Sequence, residues 1–369
     1  MRQYLEIETL DEFDEHLRHT HSLNGWFVQS VDLTGRGAAL RTKDVAGAAF
    51  LGCGLDPEVE QWLSAAGALV FPKLPALPFD PYRGQLYTAD ELYDRPHYAH
   101  TLDARVYAWS RRVGPHPAAS PSLAMALHDH AISNALDELH LASDRLVGVM
   151  GGHAMARDSA GYAAAARMAQ ALTRAGRTVL TGGGPGAMEA ANLGAWFGSP
   201  EHSSAETAAG LAEALDVLTR VPSFHHSIDD WARTAATVRR AWPAERAGHS
   251  VGIPTWFYGH EPPNQFATAI AKYFQNALRE DTLLHRCRGG IVFLEGAAGT
   301  IQELFQATTG NYYAADDTLI APLVLVGREY WTQTLPAWSL LSALAAGRPM
   351  AERLHLVDHP GEAVDLLTR

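Results

Sequence analysis

Two stretches decide how this chain folds: TVLTGGGPGAMEAANLGAW, residues 178–196, and GGIVFLEGAAGTIQELFQATTG, residues 289–310. Each has an apolar run of strand length, then a glycine-rich loop, then the start of a helical pattern. The earlier stretch LVGVMGG, residues 146–152, is a similar buried strand that ends in glycines. The run YAAAARMAQALTRAG that follows, residues 162–176, is typical of a helix closed by a C-terminal glycine.

Further apolar strands are predicted between these helices, so strand and helix alternate to the end of the chain. In a parallel sheet of this kind, ligands bind at the carboxyl ends of the strands, near the point where the strand order reverses. The predicted fold class is therefore α/β: a Rossmann-like, doubly wound parallel sheet with helices on both faces. The additional strands are predicted in HSVGIPTWF (249–257), APLVLVG (321–327) and LHLVD (354–358).

The length of 369 residues predicts two domains, because a single core rarely grows that large. Residues 1–113 are heterogeneous and predict a smaller mixed N-terminal domain of unknown role. Within it, residues 37–55 suggest five-residue β-coil steps. Residues 114–140 are interpreted as a Pro/Gly-rich linker followed by a helix from Leu123 to about Leu141, and residues 141–369 as the Rossmann-like domain.

Composition narrows the classes of function. With 29 Lys+Arg against 41 Asp+Glu, the net charge of −12 argues against binding to a nucleic acid polymer or to an anionic membrane. The two cysteines form no metal or disulfide pattern, and the acidic N-terminus does not resemble a signal peptide. We therefore expect a soluble cytoplasmic protein. The histidines lack the spacing of a metal site and the three lysines follow no cofactor pattern, so no metal and no cofactor is predicted.

The glycine loops are candidate phosphate-binding sites. Glycine allows a ligand to approach the backbone closely, and a loop that opens a helix directs free N–H groups at an anion. No Lys-Ser/Thr follows the loops and no acidic residue stands at a ribose position, so neither a P-loop nor a dinucleotide site is supported. Tight strand-to-helix packing is the alternative explanation for the glycines. The candidate residues are Gly151, Gly152, Gly182, Gly183, Gly184, Gly186, Gly296 and Gly299.

Thr300 and Glu303 follow the third loop with the spacing of a helix start. Two interpretations of this spacing remain open. The pair can be a capping box, in which the two side chains close the first turn of the helix. Alternatively, Thr300 can donate its hydroxyl to a phosphate while Glu303, about one turn further on, faces the same ligand.

At these residues the sequence resembles the LONELY GUY phosphoribohydrolase family. The motifs of that family, GGGxxGxM and PGGxGTxxE, match GGGPGAM at residues 182–188 and EGAAGTIQE at residues 295–303. The turn VMGGHA and the stretch HSVGIPTWFYGHEPPN, which ends at Asn264, look more like the larger bacterial branch of pyrimidine/purine nucleotide 5'-monophosphate nucleosidases. The resemblance covers roughly residues 145–369.

The resemblance implies that water cleaves the base from a nucleoside 5'-monophosphate and leaves ribose 5-phosphate. It implies that Glu303 is the catalytic carboxylate, and that a site arginine falls on Arg279, with Arg286 or Arg288, seven and nine residues further on, as alternatives. A carboxylate near the ribose would stabilise the positive charge that develops on C1'. The resemblance also implies a homodimer or higher homo-oligomer. The nucleotide-binding set that it implies is the glycines above with Met188, Asn264 and Thr300.

The sequence departs from the family pattern at two loop positions, where Glu295 replaces the proline and Ala297 the second glycine. A carboxylate near the phosphate would repel it unless its side chain points away. The departures therefore keep a second hypothesis open, a noncatalytic nucleotide or nucleotide-cofactor binding protein acting as a sensor or carrier. A Rossmann oxidoreductase is a third hypothesis. No donor for the leaving base is assigned. Among the histidines considered for a metal site, His153 is the one that lies at a predicted strand end, where ligands bind.

Overall fold

A computed structural model of the chain describes residues 5–74, 77–257 and 261–368. It divides into two compact units, the first formed by Met1–Gln85 and Val113–Ala135, the second by Leu86–Arg112 and Leu136–Arg369. The division predicted from sequence differs from this one, because residues 86–112 group with the second unit. The boundary that follows residue 135 lies inside a helix, Ala119–Glu138.

Strands and helices are numbered along the chain. The strands are β1 (Leu5–Ile7), β2 (Trp26–Gln29), β3 (Ala49–Leu51), β4 (Leu69–Phe71), β5 (Leu146–Met150), β6 (Thr178–Thr181), β7 (Ser250–Gly252), β8 (Ala269–Ile270), β9 (Gly290–Phe293), β10 (Leu323–Val326) and β11 (Leu354–Val357). The α-helices are α1 (Leu10–His19), α2 (Gly37–Leu40), α3 (Pro57–Ala65), α4 (Ala89–Leu92), α5 (Leu102–Val113), α6 (Ala119–Glu138), α7 (Ala160–Arg174), α8 (Ala187–Trp196), α9 (Ser204–Thr219), α10 (Ile228–Ala241), α11 (Asn276–Arg286), α12 (Ala298–Tyr312), α13 (Ala337–Ala345) and α14 (Pro360–Leu367).

The first unit contains a four-stranded sheet in the order β1-β2-β3-β4, in which every pair is parallel. The strands begin at regular intervals, and a glycine with positive φ precedes each of the last three: Gly25 (80°), Gly47 (78°) and Gly67 (91°). The Gly25 amide donates to the Gly47 carbonyl and the Gly47 amide to the Gly67 carbonyl. The unit is therefore built from strand–helix repeats of about twenty residues, and the five-residue β-coil interpretation of residues 37–55 was wrong.

The second unit contains a seven-stranded sheet in the order β11-β10-β9-β5-β6-β7-β8, again with every pair parallel. The chain begins in the middle at β5, builds outward through β6 to β8, and then crosses back to place β9 on the other side of β5. Helices cover both faces. The predicted α/β class with a doubly wound parallel sheet is confirmed.

The apolar runs of the sequence form the buried central strands of this sheet. Every residue of β5, β9 and β10 is buried, as expected of parallel strands covered on both faces. Helix α8 is buried along its whole length and packs on α7 so closely that a Cβ on Gly194 would lie 1.9 Å from the Ala166 carbonyl oxygen. The glycine that closes α7, Gly176, has a φ of 82° and ends the helix as predicted.

Three features of the second unit were absent from the sequence interpretation. Strand β7 ends at Gly252, earlier than predicted, and the two-residue β8 continues the sheet beside it. The residues between α8 and β7 form α9 and α10. Residues 86–112 join the β8 edge, where the Tyr87 amide and carbonyl exchange hydrogen bonds with Ile270. Within the described ranges, the helices are too short or too polar to cross a membrane.

Candidate functional site

A cavity of about 700 Å³ opens at the carboxyl ends of β5 and β9, where the strand order reverses. The two loops that form it are joined by a hydrogen bond of 2.9 Å from the Gly152 amide to the Glu295 carbonyl. The volume lies within the ~300–1,000 Å³ typical of small-molecule pockets. Of the residues predicted from sequence, those that line the cavity are Gly151, Gly152, Met188, Arg279, Gly296, Gly299, Thr300 and Glu303.

The N-terminus of α12 faces this cavity. The N-cap is Ala297, whose side chain makes no capping bond, and the first amide bonded within the helix is that of Ile301, to the Ala297 carbonyl. Ala298 and Gly299 are exposed and line the cavity together with Thr300. The first amides of a helix have no partner inside it, and together with the helix dipole they attract an anion.

Gly296 allows the loop to fold tightly against this helix start. A Cβ there would lie 2.2 Å from Thr300 Oγ1 and 2.8 Å from the Gly152 nitrogen. Gly299, by contrast, has no atom within 4 Å of an added Cβ. Gly296 is thus required by the packing of the protein itself, whereas Gly299 leaves open space beside the helix start.

Glu303 does not belong to a capping box. Thr300 is the third residue of α12 and not its N-cap, so that interpretation was wrong. The Glu303 side chain instead reaches α11, where its Oε1 lies 3.4 Å from Arg279 Nη1. The same Nη1 lies 2.6 Å from Glu280 Oε1. These three side chains are buried at the floor of the cavity.

The charge balance of this cluster is unusual, because one guanidinium serves two carboxylates. Burial raises the pKa of Glu303 to about 8, since it removes the carboxylate from water. The positive charge of Arg279 opposes this rise, and the negative charge of Glu280 adds to it. Within the described part of the chain, Arg279 Nε and Glu280 Oε2 are buried without a hydrogen-bond partner. The cluster therefore keeps unmet hydrogen-bonding capacity on both its donor and its acceptor side.

The two alternative arginines lie elsewhere. Arg286 forms an ion pair with Asp137, and Arg288 donates to the Leu319 carbonyl. Only Arg279, of these three, is brought to Glu303.

The second glycine loop supports the cavity from behind. A Cβ on Gly182 would lie 2.8 Å from Met188 Sδ and 3.3 Å from Arg279 Nη2, so Gly182 leaves room for the guanidinium. Gly186, with a φ of 70°, packs against the Gly152 carbonyl oxygen, which accepts from the Ala187 amide. Gly182, Gly183, Gly184 and Gly186 are not among the cavity-lining residues, and the loop contributes Met188 to the wall.

Asn264 also supports this loop and does not line the cavity. It is buried, and its Nδ2 donates to the Gly184 carbonyl at 3.1 Å and to Asn192 Oδ1 at 2.9 Å. Its backbone amide donates to the Gly183 carbonyl. Its side chain is thus engaged in holding the glycine loop, a structural role that differs from the predicted contact with nucleotide.

The two departures from the family motif are accommodated locally. Ala297 has a φ of −94°, so its backbone is not in the left-handed conformation that would favour a glycine here. Glu295 is exposed, and its Oε1 lies beside Gly327 at the end of β10, 3.5 Å from where a Cβ on that glycine would be. The carboxylate therefore leans toward the neighbouring strand end.

Several cavity residues were not assigned from sequence. Tyr330, which follows β10, donates its hydroxyl to the Gly296 carbonyl at 2.8 Å and fixes the α12 loop. His153 and Glu261 face each other, with Nδ1 3.3 Å from Oε1. Beneath the loop after β5, Arg157 and Glu189 form a buried bidentate ion pair, with distances of 2.5 and 2.8 Å. No local motif marks these residues, because each pair joins segments distant in sequence.

Solved structures align with about 60% of this chain. No family model matches the chain, and a search of curated proteins finds no match. Among solved structures, the molybdenum cofactor binding protein of the phototrophic bacterium Rippkaea orientalis aligns at 15% identity and a TM-score of 0.37, over 60% of this chain and 94% of that one. The structural genomics target TM1055 aligns at 17% identity and a TM-score of 0.37, over 60% of this chain and 98% of that one. Likeness at this level leaves the activity to be argued from the site itself.

Proposed function

We propose that the protein hydrolyses the N-glycosidic bond of nucleoside 5'-monophosphates to a free base and ribose 5-phosphate. The observation that carries the proposal is the juxtaposition of an open helix N-terminus with a buried carboxylate one turn further along the same helix. Gly299 and Thr300 lie at this helix N-terminus, and Glu303 supplies the buried carboxylate. A nucleoside monophosphate presents the matching pair, a dianionic phosphate and an electrophilic C1' at the other side of the ribose ring.

The 5'-phosphate binds at the α12 N-terminus, where the amides and the Thr300 hydroxyl donate to its oxygens. This remote contact fixes the ribose against Glu303, so binding energy from the phosphate serves the chemical step. Arg279 and Glu280 line the same cavity and bring a donor and an acceptor group to the ribose side of the site.

Chemistry then takes place over Glu303. As the C1'–N bond lengthens, positive charge develops on the ribose, and an ionised carboxylate beside it stabilises that charge. The carboxylate also orients the attacking water and accepts its proton. Burial raises the pKa of Glu303 to about 8, and a carboxylate that is costly to ionise gains most from a neighbouring cation.

The test is to incubate the purified protein separately with AMP, GMP, CMP, UMP and IMP and to follow free base by chromatography. We expect release from one or more nucleotides, lost in Glu303→Gln while nucleotide binding by calorimetry is retained. Glu213→Gln, a change of an exposed carboxylate on α9 that does not line the cavity, is the matched control and keeps turnover. Binding without release by the wild-type protein would contradict the proposal and favour the sensor or carrier hypothesis.

A further inference from the structure

The proposed reaction also needs a proton donor, because the base departs with the electron pair of the C1'–N bond. A departing base anion is a poor leaving group unless a positioned acid protonates it. We propose that His153, supported by Glu261, is that acid. The assignment rests on the proposed function and extends it to the leaving-group side of the site.

The position of His153 is the first argument. It follows Gly151 and Gly152 directly at the carboxyl end of β5, the strand that adjoins β9 at the reversal of strand order. It lines the same cavity as Glu303, but from a different loop. A group that protonates the base has to be on a different side of the ribose from the α12 end that binds the phosphate, and the β5 loop supplies such a side.

Elimination among the proton-carrying groups of the cavity is the second argument. Glu280 and Glu303 are both paired with Arg279 at the cavity floor. The Tyr330 hydroxyl donates to the Gly296 carbonyl, and the Glu295 carboxylate lies beside Gly327. Ser159 donates its hydroxyl to the Ala156 carbonyl, and Thr300 lies at the proposed phosphate site, so the remaining such groups among the lining residues are those of His153 and Glu261.

The His153–Glu261 contact is the third argument. Glu261 Oε1 lies 3.3 Å from His153 Nδ1, and the two side chains are 34% and 48% exposed, so the pair is accessible from the cavity. A carboxylate beside Nδ1 accepts a hydrogen bond from that nitrogen and leaves Nε2 as the ring nitrogen available to a ligand. The carboxylate behind the ring orients it, as in other His–carboxylate pairs.

His153 and Glu303 together account for every proton in the reaction. The C1'–N bond breaks, its electron pair goes to the base, and the proton on His153 Nε2 forms the new N–H bond of the base. Water forms the new O–C1' bond and gives its proton to the Glu303 carboxylate. Release of that proton to solvent and uptake of one by His153 restore the site, so the net reaction consumes one water and no other reactant.

A substrate whose leaving group needs no proton separates this role from a structural one. p-Nitrophenyl β-D-riboside 5-phosphate carries the same ribose phosphate but releases a stable phenolate. We expect His153→Gln to lower kcat on the best natural monophosphate by about 100-fold or more, the range of general acid catalysis. On the nitrophenyl substrate the loss stays below about threefold. Glu261→Gln gives a smaller loss with the same substrate dependence.

The control is His116→Gln, a change of an exposed histidine in the first unit, which leaves both rates unchanged. An equal loss on both substrates in His153→Gln would overturn the assignment, because a positioning defect affects both. A larger loss in Glu261→Gln than in His153→Gln would transfer the acid role to Glu261. A wild-type protein that cleaves natural monophosphates keeps the proposed function whatever the His153 result, whereas one that cleaves neither substrate overturns both.

Discussion

Replacing Glu303 by glutamine removes a carboxyl group that the folded protein holds in its neutral form more strongly than the unfolded chain does. Burial raises its pKa from the ordinary 4.5 to about 8. Between these values the folded protein binds a proton that the unfolded chain has already lost, so the free energy of unfolding falls as the pH rises. This contribution to stability is fully present below pH 4.5 and is lost as the pH passes through about 8. Glutamine, close in shape to the neutral acid, has no such dependence.

The size of the effect follows from the same two values. At about 1.4 kcal/mol for each tenfold change in the proton equilibrium, the full difference is on the order of 5 kcal/mol above pH 8 and about 3 kcal/mol at pH 7. At about 2–4 °C per kcal/mol for a large domain, Glu303→Gln is expected to melt roughly 6–12 °C above the wild-type protein at pH 7. At pH 5 the two proteins differ by less than about 1 kcal/mol.

The assay is thermal unfolding by circular dichroism at pH 5, 7 and 9 for both proteins. Other titrating groups are common to the two and cancel in the difference. Glu295→Gln, which changes an exposed carboxylate on the same loop, is the control and is expected to show no comparable trend. A difference between Glu303→Gln and wild type that stays constant from pH 5 to 9, or a variant that is the less stable one at pH 9, would refute the reasoning.

Three further outcomes are expected. For p-nitrophenyl β-D-riboside 5-phosphate, kcat/KM rises about tenfold per pH unit below about 8 and levels off above it, because Glu303 has to be ionised; a pH-independent rate would contradict this. Gly299→Ala keeps the free energy of unfolding or raises it by roughly 0.5–1 kcal/mol, but weakens nucleotide binding about tenfold or more by calorimetry. Gly296→Ala lowers the free energy of unfolding in denaturant, because the added Cβ meets Thr300. Arg157→Ala lowers the free energy of unfolding by about 3–5 kcal/mol in denaturant unfolding, because Glu189 is left buried and unpaired. The double variant Arg157→Met with Glu189→Leu recovers most of this loss. An unchanged midpoint in the single variant would contradict the role of the pair.

The sequence was sufficient for the architecture of the second unit because its central strands are unbroken apolar runs, each followed by glycines. Residues 146–152, 178–186 and 290–299 place three strand ends and three loops, and parallel pairing brings those ends to one edge. The position of Glu303 followed from one motif. Its environment did not, since burial and Arg279 on a different helix decide its pKa, and no local pattern encodes them.

Local patterns failed where tertiary contacts compete with them. The Thr300–Glu303 spacing fits a capping box, but the helix begins at Ala298, three residues after Glu295, and the carboxylate is drawn to Arg279. Asn264 matches a motif, yet it is engaged by the glycine loop behind the cavity. In the first unit the repeat was missed, because strands of three or four residues give too short an alternation to detect.

Glu280 explains why the site keeps Glu303 reactive. Arg279 Nη1 lies 2.6 Å from the Glu280 carboxylate but 3.4 Å from that of Glu303, so the guanidinium is engaged mainly by its sequence neighbour. Were Arg279 committed to Glu303 alone, their close pairing would lower the pKa of Glu303 and hold its oxygens away from the ribose. With Glu280 present, one guanidinium faces two carboxylates. The negative charge of an ionised Glu303 is therefore not fully balanced until a cation develops beside it. In the proposed reaction, the developing charge on C1' supplies that compensation only at the transition state, which is where stabilisation accelerates a reaction.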